Sequence, residues 1–199
     1  MKLKRHLILL GMLVTIGVFF AGLTIARADG GGDDPTPTCQ LDQNDQGEDG
    51  NDQGEDNNDQ GEDVQGDDQG DDIEGTGSDD QLDGNQGDDE IDGDQGEDDI
   101  CGDQGDDVLN GGPGDDAIVG GPGDDVENGQ AGDDDVIGNA DDDDLTGGNG
   151  ADVMSGKGGN DKINVRHHGR DKVRCGRGHD VVKASHNDRV GSSCEVVKH

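Results

Sequence analysis

A nine-residue period is the feature that most restricts how this chain can fold. Over residues 66–164, the repeat region, glycine stands at positions 66, 75, 84, 93, 102, 111, 120, 129, 138, 147 and 156. An aspartate follows each glycine by five residues: Asp71, Asp80, Asp89, Asp98, Asp107, Asp116, Asp125, Asp134, Asp143, Asp152 and Asp161. Two residues after each aspartate comes an apolar residue, except that Glu127 breaks this column, and we expect Val126 beside it to compensate. Such a strict register predicts a repeat architecture.

Each nonapeptide combines six residues that favour a turn with three that form a short strand. Glycines adopt turn conformations without penalty, and the strand triplet points its one apolar side chain inward. Two strands and two turns make an 18-residue coil, and coils stacked at about 4.8 Å align each aspartate with its counterpart one coil further on. The sequence therefore predicts an all-β parallel β-roll, a form of β-solenoid. One edge of this roll carries Asp71, Asp89, Asp107, Asp125, Asp143 and Asp161, and the other carries Asp80, Asp98, Asp116, Asp134 and Asp152.

The first 28 residues have the pattern of a secretory signal peptide. Lys2, Lys4 and Arg5 precede an apolar stretch, residues 7–26, which runs into the small-residue motif Ala26-Arg27-Ala28. A charged start, an apolar centre and a small-residue exit predict cleavage after Ala28 and a secreted, extracellular product. An uncleaved membrane anchor is the alternative, because about 20 apolar residues can also span a bilayer.

The charge of the remaining chain limits both its folding and its partners. All 50 acidic residues but only ten of the 14 basic ones follow Ala28, which gives a net charge of −40. This part also has no aromatic residue, since Phe19 and Phe20 precede the cleavage point. Such a composition cannot offset its conformational entropy by burying a hydrophobic core. The acidity excludes nucleic acid as a partner and favours a cationic one.

Carboxylates stacked on neighbouring coils repel one another unless a cation lies between them. Ca²⁺ takes six to eight oxygen ligands at about 2.3–2.6 Å, which carboxylates and turn carbonyls can supply. Mg²⁺ fits less well because it demands tighter octahedral geometry, and the imidazoles and thiols that zinc and copper prefer are absent from these turns. We therefore expect several Ca²⁺ ions as the cofactor.

One nonapeptide, Gly111-Gly112-Pro113-Gly114-Asp115-Asp116-Ala117-Ile118-Val119, matches the consensus Gly-Gly-x-Gly-x-Asp-x-U-x at every position, where U is a large apolar residue. The repeat region thus resembles the haemolysin-type (RTX) calcium-binding repeats, in a secreted, actinobacterial-like member. The resemblance implies a β-roll in which the eleven aspartates of the column are the metal ligands. It also implies that backbone carbonyls complete the sites, those of Gly111, Gly112, Gly114, Gly120, Gly121, Gly123 and their equivalents.

Two segments flank the repeats. Residues 29–65 form an acidic low-complexity tail with almost no apolar residue, which predicts disorder. Residues 165–199 are basic and keep Asp-x-Val triplets, so we expect them to cap the last coil. Four cysteines allow three pairings. Cys175 and Cys194 are about one coil apart, which fits a disulfide, and Cys39–Cys101 would be the second.

The sequence leaves two classes of function open and disfavours a third. We do not expect an enzyme, because no nucleophile elbow, phosphate loop or His-Glu-x-x-His motif is present and a roll this thin cannot enclose a substrate pocket. The strict register favours a calcium-binding protein whose folding depends on Ca²⁺ and which has an extracellular structural, surface or adhesion role. The alternative is a disordered acidic polyelectrolyte that binds mineral or cationic partners. No membrane contact is expected after cleavage, and the pattern identifies no protein or surface partner.

Overall fold

The computed structural model describes residues 63–166 and 169–198. No helix occurs in these two ranges, which consist of strands and turns. The strands are β1 (Asp63–Gln65), β2 (Asp72–Glu74), β3 (Gln81–Asp83), β4 (Glu90–Asp92), β5 (Asp99–Cys101), β6 (Val108–Pro113), β7 (Ala117–Pro122), β8 (Val126–Ala131), β9 (Asp135–Ala140), β10 (Asp144–Asn149), β11 (Val153–Gly158), β12 (Lys162–Val165), β13 (Lys172–Arg177), β14 (Val181–Ala184), β15 (Arg189–Val190) and β16 (Val196–Lys198). The signal peptide, Cys39 and the tail up to residue 62 lie outside the described residues.

The strands form two parallel sheets of eight strands each. The odd sheet runs β1-β3-β5-β7-β9-β11-β13-β15, and the even sheet contains β2 to β16 in the same stepwise order. Consecutive strands therefore alternate between the sheets, and each strand pairs with the strand one coil away. In the odd sheet Leu82 aligns with Ile100, and Ile100 with Ile118, which is the predicted register of 18 residues. The all-β parallel β-roll is confirmed.

The core between the sheets is a single stack of the apolar column. Its members are fully or almost fully buried: Ile73, Leu82, Ile91, Ile100, Leu109, Ile118, Val136, Leu145, Met154 and Ile163. Each coil contributes only two such side chains, one from each sheet. A core this narrow leaves no room for an apolar pocket and brings the two edges of turns close to it.

Glu127 enters this core, and the expectation that Val126 compensates for it is wrong. Glu127 is 0% exposed and aligns with Leu109 and Leu145 in the even sheet, whereas Val126 remains 47% exposed. Neighbouring residues of a strand point to opposite faces, so Val126 could reach the core only through a one-residue slip of the register. The paired strands β6 and β10 hold that register.

The strands differ in length along the roll. β1 to β5 have three residues, as the repeat pattern predicts, but β6 to β11 have six. The additional residues pair as well, for example Gly112 with Gln130 and Pro113 with Ala131, so the first half of each turn extends the ladder. Strand β1 begins at Asp63, although the glycine period predicts that the repeats begin at 66. Its Val64 aligns with Leu82 and extends the apolar column by one unit.

The C-terminal segment continues the roll with an altered register. Between β11 and β13 the alignment steps by 19 residues, as Val153 pairs with Lys172, and β13 to β16 then complete both sheets. The predicted Cys175–Cys194 disulfide is confirmed and joins two residues with Cα atoms 5.1 Å apart. The Cys39–Cys101 pairing stays a prediction because Cys39 lies outside the described residues. Within the described ranges, no helix is long and apolar enough to cross a membrane.

Candidate metal centre

The aspartates of the repeat column form two hydrogen-bonded ladders, one along each edge of the roll. On the first edge the backbone N–H of each aspartate donates to Oδ1 of the aspartate one coil further on, from 2.7 Å between Asp71 and Asp89 to 3.2 Å between Asp143 and Asp161. The second edge repeats this from Asp80 to Asp152 at 2.9–3.2 Å. The structure thus brings all eleven predicted aspartates together in the two rows expected from the spacing.

The second carboxylate oxygen of these aspartates points into the roll. Asp80 and the later members of the column are at most 2% exposed. Buried Oδ2 atoms without a hydrogen-bond partner occur at Asp89, Asp98, Asp107, Asp125, Asp134, Asp143, Asp152 and Asp161. Buried polar atoms are normally paired, so a row of unpaired carboxylate oxygens indicates a missing cationic or hydrogen-bonding partner.

The glycine that begins each repeat provides the space for this oxygen. An ideal Cβ built on Gly75 would lie 2.8 Å from Asp80 Oδ2 and 2.6 Å from the carbonyl oxygen of Gly93. On Gly93 it would lie 2.5 Å from Asp98 Oδ2 and 2.7 Å from the carbonyl oxygen of Gly111. We call this space, bounded by a repeat-initial glycine, the carboxylate of its own repeat and a carbonyl of the next coil, the cradle.

The chemistry of a cradle fits a hard cation. Its donors are one carboxylate oxygen and backbone carbonyl oxygens, which are the ligands that Ca²⁺ prefers. In the described part of the chain, no group of three or more His, Cys, Asp or Glu side chains is arranged to hold a metal ion. A cation at these turns must therefore take most of its ligands from the backbone, which the close approach of carbonyls such as that of Gly111 allows.

Comparison with known families agrees with this geometry. The family described as RTX calcium-binding nonapeptide repeat (4 copies) matches residues 65–100, 98–127 and 128–163. The chain belongs to the RTX calcium-binding repeat family. No curated protein and no solved structure matches it. The RTX repeats bind Ca²⁺, and the two ladders lie within the matched residues.

Without a cation, the ladder carboxylates of the RTX roll resist ionisation. Burial raises the pKa of Asp143 to about 8, and the charges of Asp125 and Asp161 add to this shift. Burial likewise raises the pKa of Asp98, Asp125 and Asp134 to about 7. The backbone N–H that each Oδ1 accepts works in the opposite direction without cancelling the effect. The raised values follow from placing charges in an interior that contains no basic group to balance them.

A second set of aspartates lies just outside the ladders. Residues preceding the ladder positions, such as Asp88, Asp106, Asp124 and Asp142, are exposed. Their Oδ1 atoms accept hydrogen bonds from the coil that follows, for example from the backbone N–H of Asp124 to Asp106 at 3.0 Å. These carboxylates are equally charged and similarly hydrogen-bonded but solvated, so they are natural controls for the ladder.

The ladders extend beyond the residues predicted from the period. Asp152 donates to Asp171 at 2.9 Å and Asp161 donates to Asp180 at 3.0 Å, and both acceptors are buried. Asp180 in turn donates to Glu195 at 2.8 Å. The repeat period does not reach these residues because one residue is inserted before Asp171. The Asp-x-Val triplets at Asp171 and Asp180 are the sequence signal that marks them.

Proposed function

We propose that this chain is a secreted protein that binds several Ca²⁺ ions along the two edges of its β-roll and folds when they bind. The observation that carries the proposal is the row of buried, unpartnered Oδ2 atoms, each beside a repeat-initial glycine and a carbonyl of the next coil. Ca²⁺ would neutralise these carboxylates and give their second oxygen a ligand bond. Removing the ions would leave buried charges that the narrow apolar core cannot offset.

The proposed ligands are the eleven ladder aspartates together with turn carbonyls. Two of the predicted carbonyl donors have direct support, since the oxygens of Gly111 and Gly120 lie 2.7 Å and 2.8 Å from the Cβ positions of Gly93 and Gly102. They therefore enter the cradles of Asp98 and Asp107. The carbonyls of Gly112, Gly114, Gly121 and Gly123 remain proposed ligands from the family pattern. Asp171 and Asp180 join the proposed set because they occupy the same ladder positions.

A structural or surface role outside the cell is more consistent with this architecture than catalysis. Enzymes need a pocket in which a nucleophile or an acid–base pair is positioned against a substrate. The interior of the roll is filled by one column of side chains, and its ionisable groups stand in regular rows rather than around a cavity. The Cys175–Cys194 disulfide is typical of an oxidising, extracytoplasmic compartment. Ca²⁺ is abundant enough outside cells to fill sites of millimolar affinity.

Circular dichroism of the chain purified without its first 28 residues tests the proposal. With excess chelator we expect little β signal, and with Ca²⁺ raised to about 10 mM we expect a cooperative gain of β structure. Mg²⁺ at the same concentration is the control for simple charge screening and should produce much less structure. A spectrum that is the same in chelator and in Ca²⁺ would contradict Ca²⁺-dependent folding. Equal effects of both ions would favour an unspecific polyelectrolyte.

A further inference from the structure

Glu127 is the one member of the core column, among the described residues, that carries a charge-bearing group. It lies on β8 between Leu109 and Leu145, is 0% exposed, and has no hydrogen-bond partner for either carboxylate oxygen. A leucine at this position would continue the stack without cost. Burying an unpaired carboxyl group instead costs several kcal/mol, about as much as any single apolar side chain contributes. The position therefore calls for a partner.

The side chain of Glu127 points into one specific cradle. An ideal Cβ on Gly120 would lie 2.7 Å from Glu127 Oε1, and Asp125 Oδ2 lies even nearer to the same point. In the cradles of Gly93 and Gly102 the second oxygen near this point is a backbone carbonyl of the next coil. At Gly120 the carboxylate of Glu127 is nearer than any such carbonyl. Two unpartnered carboxylate oxygens thus meet in a space that holds only one in the other cradles.

We propose that Glu127 is an additional cation ligand, which reaches the Ca²⁺ ion at Asp125 from inside the roll. This inference rests on the proposed function, because it assumes that the cradles bind Ca²⁺. Two oxygens bound to one Ca²⁺ can stand up to about 5 Å apart, and Oε1 and Asp125 Oδ2 flank a common point within this reach. The site needs no third side chain, since backbone carbonyls supply the remaining ligands as elsewhere in the roll.

The additional charge makes this site different from the others. Affinity for Ca²⁺ rises with the number of charged ligands, so the cradle at Gly120 binds more tightly than the cradles with one carboxylate and fills first. The carboxylates of Asp143, Asp125 and Asp161 also act on Glu127, and together with burial, the larger cause, they raise its pKa well above the ordinary value. A divalent cation relieves this repulsion. The site lies near the middle of the roll, where both neighbouring coils can build on it.

Calorimetric titration of the full chain with CaCl₂ tests this assignment. The decisive variant is E127Q, which keeps the size of the side chain and removes its charge. E90Q is the matched control, because Glu90 carries the same charge on β4 of the same sheet but is exposed. We expect E127Q to lose the tightest binding phase, with a fall in affinity of roughly tenfold or more, whereas E90Q binds like the unmodified chain.

E127L provides a second, independent reading, because leucine is the residue of the neighbouring column positions and should preserve folding. It should lose the same tight phase while gaining β structure in chelator. If the tight phase survives in E127L, or in a folded E127Q, Glu127 is not a ligand and the inference is overturned, while the Ca²⁺ ladders stand. If the unmodified chain itself binds no Ca²⁺, the proposed function fails and this inference fails with it.

Discussion

The carboxylate of Asp98 lies in the space that a side chain on Gly93 would need, since an ideal Cβ on Gly93 would be 2.5 Å from Asp98 Oδ2. The same relationship holds between the other repeat-initial glycines and the aspartates five residues later. None of these glycines has the positive φ that would by itself require glycine. The glycine and aspartate columns of the sequence are therefore two parts of one site, and the first is there to make room for the second.

This relationship predicts a large difference between two glycine-to-alanine substitutions. Gly102→Ala would place a Cβ against Asp107 Oδ2 and 2.8 Å from the carbonyl oxygen of Gly120, so we expect a loss of about 1–3 kcal/mol in the free energy of unfolding. At Gly158 the nearest atom would be 3.7 Å away and no positive φ is involved, so Gly158→Ala should be neutral or slightly stabilising. Urea unfolding at saturating Ca²⁺ measures both. Similar losses would contradict the steric role of the cradle.

A second prediction separates the ladder aspartates from their exposed neighbours. Asp107 and Asp106 each accept one backbone hydrogen bond on Oδ1, at 2.8 Å and 3.0 Å, but only Asp107 is buried with an unpartnered Oδ2. Asp107→Asn should remove about one bound ion or weaken it roughly tenfold, whereas Asp106→Asn should change little. Calcium titration by calorimetry gives both numbers. Equal losses would mean that only total charge matters, as in a polyelectrolyte.

The regular part of this architecture follows from the sequence, and its exceptions do not. Register of 18, two edges and the inward apolar column all follow from a nine-residue period, because a stacked coil must repeat it. The fate of Glu127 could not be predicted in this way, since an apolar neighbour at 126 is visible in the sequence but the direction of its side chain is fixed by pairing with β6 and β10. The ladder positions of Asp171 and Asp180 were equally hidden, because an insertion shifts them out of phase.

The raised pKa values predict that acid stabilises the ion-free roll. Burial holds the pKa of Asp125 near 7 and that of Asp143 near 8, against an ordinary value of 3.8. Between about pH 4 and pH 8 the folded state then binds more protons than the unfolded state, so its stability falls as the pH rises through this range. In chelator, β content should increase when the pH is lowered from 8 to 5. Circular dichroism that is unchanged, or weaker at pH 5, would contradict the assigned burial.

Protonation should also compete with calcium. Ca²⁺ binds the ionised carboxylates, so the Ca²⁺ concentration at the midpoint of folding should rise as the pH falls from 8 to 6, because protons must then be displaced from groups such as Asp98 and Asp134. The same titration with Asp106→Asn is the control, since an exposed carboxylate contributes little to this competition. A midpoint independent of pH would show that the ions bind elsewhere.

The last prediction concerns the C-terminal cap and its disulfide. Cys175 and Cys194 are separated by 19 residues and join two neighbouring strands at the end of the roll. Closing a loop of this length restricts the unfolded chain by roughly 3 kcal/mol. The cap also carries Asp171 and Asp180, which accept hydrogen bonds from Asp152 and Asp161 and so complete the last two coils of the ladders.

Replacing both cysteines by serine should therefore weaken the C-terminal coils first. In a solenoid each coil contacts only its neighbours, so the loss decreases with distance from the end that is weakened. Hydrogen exchange at saturating Ca²⁺ should show faster exchange in β11 to β14 and little change in β3 to β7, which are an internal control within the same molecule. Uniformly faster exchange along all coils would show that the roll unfolds as a single unit. Unchanged exchange in β11 to β14 would show that the disulfide does not stabilise the cap.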